Sequence, residues 1–139
     1  MKTKKEIGKA SKKAGDEFEK KVRYHWENLG WTVSKWQNQV DLGFNKLVAS
    51  KPMFVFNPLL KRRILIRMGT GFPDFICIKR MGTKDGENYY GVIGVESKLT
   101  GELDKEEKDK AKWLIDHKIF GEIIVSSKDG KNIKDVEFK

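Results

Sequence analysis

Two acids and a lysine stand at the ends of neighbouring strand-like runs in this chain. Pro73-Asp74 precedes Phe75-Ile-Cys-Ile78, and Glu96-Ser97-Lys98 follows Tyr90-Gly-Val-Ile-Gly-Val95. Side chains alternate along a strand, so Glu96 and Lys98 share one face and Ser97 takes the other. Between the runs, Asp85-Gly86 is the pair best suited to a tight hairpin turn, which would set Asp74 beside Glu96 at one end of a sheet. Hard divalent cations such as Mg²⁺ prefer oxygen ligands of this kind and keep several waters of their own. Taken singly, Pro-Asp is an ordinary turn and Glu-x-Lys an exposed ion pair. Their order and placement together suit metal-dependent cleavage of a phosphodiester.

The elements that would position these groups follow from the apolar pattern. Residues 15–29 read as an amphipathic helix with the stripe Phe18, Val22, Trp26 and Leu29, closed by Gly30. At about 100° per residue, Glu19 falls beside that stripe and Glu17 on nearly the opposite side. Glu19 is therefore the third carboxylate able to reach over a sheet edge; the plain alternative is a salt bridge to Arg23 one turn on. Trp31 to Trp36 alternates as a strand, and residues 37–50 are polar and irregular. Two short strands around Met53–Phe56 and Arg63–Arg67, joined by Asn57-Pro58, predict a hairpin. Leu103 to Lys118 reads as a helix with apolar contacts at Ala111, Leu114 and Ile115, followed by strands at residues 122–126 and 133–138. The expected fold is α/β: a central mixed β-sheet flanked by helices, with an inserted β-hairpin. All of residues 1–139 form one domain, with a basic arm at 1–13 and an insertion at 37–70.

On these residues the chain resembles the PD-(D/E)XK nuclease superfamily. Gly15-x-x-x-Glu19, the helix ending at Gly30 and the strand to Val33 are similar to the opening of archaeal Holliday-junction resolvases. Gly71-Phe-Pro-Asp74 with Gly94-Val-Glu96-Ser-Lys98, and the charged helix ending in Trp113-Leu114, look like VRR-NUC domains. The resemblance covers residues 15–36 and 70–127. It implies a restriction-endonuclease-like αβββαβ core and an Mg²⁺-dependent DNA endonuclease, with Mn²⁺ substituting. Such an enzyme would be selective for branched or junction DNA in recombination, repair or replication, leaving 5′-phosphate and 3′-hydroxyl ends. It further implies that Asp74, Glu96, Glu19 and the Ser97 backbone carbonyl hold metal, and that Lys98 orients the attacking water and neutralises the phosphate. Two departures stand out: VRR-NUC members often carry a glutamine where Lys110 stands, and residues 35–70 exceed the matching link of the resolvases. A non-catalytic nucleic-acid-binding module of the same fold remains open, as does a protein-interaction domain using the 53–67 hairpin as a sheet edge.

Composition sets the outer bounds. At 139 residues with 38% hydrophobic and 35% charged side chains, the chain suits one domain with one core. No apolar stretch nears the ~20 residues that span a bilayer, and the lysine-rich start has no apolar segment behind it as a secretory signal would. A single cysteine, Cys77, rules out an internal disulfide and reads as a buried, inert thiol; no Cys/His cluster suits zinc. The expected setting is the cytoplasm of a prokaryote, or of a host in which a viral protein acts. The net charge of +9 invites a polyanion. Lys2, Lys4, Lys5, Lys9, Lys12 and Lys13 at the start, Lys61, Arg62, Arg63 and Arg67 in the insertion, and Lys110 in the second helix are candidate DNA contacts. His25, His117 and the four tryptophans read as core or core-margin residues. A duplex offers two strands to cut and this chain one acid cluster, so a homodimer through the apolar hairpin is expected.

Overall fold

Apolar residues recur every three to four positions from Phe18 to Trp26 and at every second position through the later strands, and each period finds its own partner layer. The computed structural model describes residues 3–67 and 69–139, the side chain of Arg67 excepted. Helix α1 (Lys4–Asn28) leads into β1 (Thr32–Lys35). Two hairpins follow, β2 (Asn38–Asp41) with β3 (Lys46–Ala49) and β4 (Met53–Asn57) with β5 (Arg62–Arg67). Then come β6 (Phe75–Lys84), β7 (Glu87–Ser97), α2 (Lys105–Asp116), β8 (Glu122–Asp129) and β9 (Asn132–Glu137).

The main sheet has the order β1-β6-β7-β8-β9. It is antiparallel except for β7 and β8, which run parallel because α2 carries the chain back across one face. Phe18, Val22 and Trp26 of α1 pack on Val33, Phe75, Cys77, Ile93, Val95 and Ile124. Ala111 and Leu114 of α2 pack with Ile123, Val125, Phe120 and, at the margin, Ile76 and Val92 on the opposite face. The chain is thus α/β, a mixed five-stranded sheet between two helices. Without residues 38–67 the order is αβββαβ plus one edge strand. Among the described residues no helix is long and apolar enough to cross a membrane.

The β6–β7 turn forms where the sequence places it. Asp85 and Gly86 both have left-handed backbones, φ 52° and 81°, as a two-residue turn of this hand requires. The ladder then runs, across a one-residue bulge at Met81 that shifts the register, to Phe75 opposite Val95, one pair short of Asp74 and Glu96.

Two expectations are corrected. Residues 4–13 are not an arm before the first helix but its first turns. The Thr3 hydroxyl accepts from the Glu6 N–H and the Glu6 carboxylate accepts from the Thr3 N–H, a reciprocal cap that starts the helix before its buried stripe. Lys4, Lys5, Lys9, Lys12 and Lys13 are exposed there, while Lys2 lies outside the described residues. Residues 37–50 are not irregular either. They hold the β2–β3 hairpin, whose Val40 and Leu47 join the α2-side core, a tertiary contact that the polar local sequence conceals.

Close backbone approach at the site depends on Gly94, where an added Cβ would lie 2.6 Å from Pro73 Cγ and 3.2 Å from the Phe120 ring. Pro73 is fully buried and precedes Asp74. Gly94→Ala is expected to cost about 1–3 kcal/mol through overpacking. Gly8→Ala, on open helix surface, should stabilise by up to ~1 kcal/mol. Thermal or urea unfolding of the two variants checks this pair of opposite signs.

Candidate active site

The end of the β6–β7 ladder brings three sequence-selected residues together. The Asp74 N–H donates to Glu96 Oε1 at 3.1 Å, and both the backbone N–H and the hydroxyl of Ser97 donate to Asp74 Oδ2, at 2.9 and 2.6 Å. The Ser97 side chain therefore grips Asp74 instead of turning away, because Asp74 sits just outside β6 and bends across toward it. Glu96 is 6% exposed. Burial pushes its carboxyl up to about 10, helped by the charge of Asp74 and a hydrogen bond between the two carboxyl groups; Lys98 acts against the rise.

Lys98 lies next along the chain, its Nζ 2.7 Å from Glu107 Oε2. Glu107 is also a capping residue of α2: its Oε1 accepts from the Asp104 N–H, while Asp104 Oδ1 accepts from the Glu107 N–H. The helix cap thus fixes the lysine's partner. Burial works to lower the Lys98 ammonium, but the hydrogen bond and charge of Glu107, with Glu96 and Asp104, outweigh it and hold the group above the usual lysine value.

Glu19 approaches from the α1 layer. It shares with Asp74 a cavity of about 310 Å³, also lined by Lys35, Trp36, Gln37 and Thr70. Glu17 instead lines a separate hollow with Phe18, Lys21 and Lys128. Glu19 makes an ion pair with Lys35, whose Nζ also lies 5.4 Å from the Phe75 ring centre. The Arg23 pairing is not formed; Arg23 bonds the Val33 carbonyl and pairs with Glu27. Among the described residues no three His, Cys, Asp or Glu side chains gather closely enough to hold a metal ion between them. The donor set still fits Mg²⁺, which takes one or two carboxylates and fills its remaining positions with waters and substrate phosphates. Asp74 and Glu96 would hold it, and Glu19 would act across the cavity through water.

The candidate DNA contacts divide. Lys61, Arg62 and Arg63 are exposed at the outer end of β4–β5, with Arg63 5.4 Å from the centre of the Phe54 ring. The Arg67 side chain lies outside the described residues. Lys110 is largely buried instead, bonding Gln39 Oε1 at 3.0 Å and Glu106 at 3.1 Å, so it braces the β2–β3 hairpin against α2. Sequence reasoning missed Lys35, Gln39 and Glu107. Only Glu107 carried a local signal, as the acid three residues after the helix-capping Asp104.

Other polar groups are structural. Trp26 Nε1 donates to Ser126 Oγ, Ser126 donates to Asp135, and His25 meets the other Asp135 oxygen at 2.7 Å. The aspartate stands between serine and histidine, the wrong order for a nucleophile relay. Burial pushes the Cys77 thiol up to about 12, against the opposing charge of Arg23, which leaves it inert.

Comparison with family models, curated proteins and solved structures finds no match to this chain, leaving the geometry of the site as the guide to its chemistry. That geometry has a consequence for stability. Glu96 keeps its proton in the fold up to about pH 10 but releases it near 4.5 when unfolded. The folded state therefore binds more protons across this window, and stability falls as pH rises through it. In metal-free buffer Glu96→Gln should melt above the wild type at pH 8, with the gap closing toward pH 4. Parallel melting profiles over that range would remove Glu96 from the low-dielectric pair.

Proposed function

We propose that this protein is an Mg²⁺-dependent endonuclease that hydrolyses DNA. The observation that carries the reading is the placing of two acids at one sheet end, the buried Glu96 carboxyl accepting from the Asp74 N–H and the Asp74 carboxyl from the Ser97 N–H, beside a lysine and within a chain of charge +9. Crowding two acids in a site otherwise suited to phosphates serves no purpose in a plain DNA binder. It is what a divalent cation needs, since the cation offsets the burial and the neighbouring Asp74 charge that otherwise favour a proton on Glu96.

In this reading Asp74 and Glu96 hold the metal, and the Ser97 N–H and hydroxyl fix the Asp74 rotamer. The ion supplies a more acidic water and stabilises charge on the phosphate and the departing oxygen. Lys98, kept as an ammonium by Glu107, neutralises and orients the phosphate; it does not act as a base. Glu19 and Lys35 shape the far wall. Two-fold pairing through the exposed β4–β5 strands would set a second site on the opposite strand.

Asp74→Asn or Glu96→Gln should abolish Mg²⁺-dependent cleavage of labelled linear and branched DNA while binding in EDTA survives. Glu19→Gln should lose most activity and Glu17→Gln little. Wild-type cleavage by either of the first two variants would refute the site.

A second prediction concerns α1. Lys5, Lys9 and Lys12, at spacings of four and three, share one exposed helix face. Changing all three to Gln should reduce the slope of log affinity against log salt by roughly 2–3, as three phosphate contacts vanish. Circular dichroism should show the helix intact. An unchanged slope would leave this face as a solubilising surface.

A further inference from the structure

We propose that the tip of the β4–β5 ribbon, Pro58-Leu59-Leu60, is an apolar wedge that enters the base stack of bound DNA. The proposal rests on the nuclease reading for its partner and names what that nuclease recognises.

Turn tips are normally built from polar residues and glycine. This one presents Leu59 at 91% exposure and Leu60 at 54%. It is also held in shape: Asn57 Oδ1 accepts from the N–H groups of both Leu59 and Leu60, at 2.9 and 3.1 Å, and Lys61 closes the turn with φ 50°. Directly behind the leucines stand Lys61, Arg62 and Arg63, all exposed. From Leu42 to Pro73 the sequence contains no acidic residue, so this whole insertion is cationic. Apolar side chains on a pinned turn, followed directly by exposed cations, match a partner with an anionic exterior and an apolar stacked interior. Leu and Pro are among the side chains that proteins insert between base steps, at a cost in unstacking of a few kcal/mol.

The base of the ribbon sits at the candidate site. Ser50 Oγ donates to the Thr70 carbonyl at 2.7 Å, joining the segments that enter and leave the ribbon, and Gly69 and Thr70 line the cavity that contains Asp74. The five residues of β4 extend about 17 Å at 3.4 Å per residue. Duplex DNA rises about 3.4 Å per base pair along each strand, so a ribbon of this length laid along the duplex spans roughly five pairs from its base near the Asp74 cavity. Unstacking is cheapest where pairing is already broken. The wedge therefore selects DNA carrying a branch, nick or mismatch about five pairs from the cut.

The test uses the full chain in EDTA with duplex and three-way-junction DNA carrying 2-aminopurine at successive positions. The expected result is a several-fold fluorescence rise confined to a short window beside the branch, as one unstacked step produces. Leu59→Ser/Leu60→Ser should abolish that rise while leaving melting temperature and the salt slope of binding unchanged. Lys61→Gln/Arg62→Gln should flatten the slope but retain the rise at saturation. In a Leu59→Trp variant, stacking against bases should quench the indole. A fluorescence rise that survives in the double serine variant overturns the proposal. So does a light-scattering mass that halves in that variant, which would make the tip a contact between two copies, or leucine-dependent binding to phosphatidylserine vesicles without any DNA signal. None of these readouts requires cleavage, so failure of the wedge and failure of the nuclease reading are distinguishable.

Discussion

The register of β6 against β7 is the constraint on which the candidate site depends. Side chains alternate faces, so a slip of one residue would move Glu96 from the α2 side of the sheet to the α1 side and part it from Asp74. Asp85-Gly86 sets the register only as far as Gly82; a one-residue bulge at Met81 then shifts it so that Asp74 falls beside Glu96 and not Ser97, and Pro73 against Gly94 locks the site end through a contact no larger residue admits. Between these ends Phe75, Cys77, Ile93 and Val95 bury one face. The same alternation that builds the α1-side core thus presents Glu96 to the opposite side.

Charges around the site alternate in sign. Glu19 faces Lys35, Lys98 faces Glu107, and between these pairs lie Asp74 and Glu96, which face each other. The outer pairs are partly exposed and contribute little to stability, as surface ion pairs do. Their effect is to hold long side chains in place. The inner pair differs, because burial makes a second negative charge costly and Glu96 resolves the conflict by keeping its proton.

Beyond the sandwich, the chain extends in two places where it has little core of its own. The first turns of α1 rest on a capping box and on lysines that favour helix. The β4–β5 ribbon forms its own two-stranded sheet with both faces largely exposed. Such a hairpin is only marginally stable in water. Its side chains are largely apolar or cationic and exposed.

Local sequence determined the pieces with strong periodicity or specific turn chemistry. The Phe18–Val22–Trp26 stripe, the Asp85-Gly86 turn, the 53–67 hairpin and the α2 face were all legible, because each depends on contacts within a few residues. From them it followed that Asp74 would come to the same sheet end as Glu96 and that Glu19, not Glu17, would reach toward Asp74; the bulge at Met81 that sets Asp74 beside Glu96 left no mark in the sequence. Only the tertiary structure decided the rest. Gln39 and Lys110 lie far apart in sequence, as do Lys35 and Glu19, and no local pattern marks such pairs before the fold closes. The β2–β3 hairpin escaped notice because Val40 and Leu47 are too sparse to signal strands, and only α2 packing over them makes their burial worthwhile. The helical start of α1 was hidden because exposed lysines show no apolar period, and a cap of two polar side chains was enough to begin the helix.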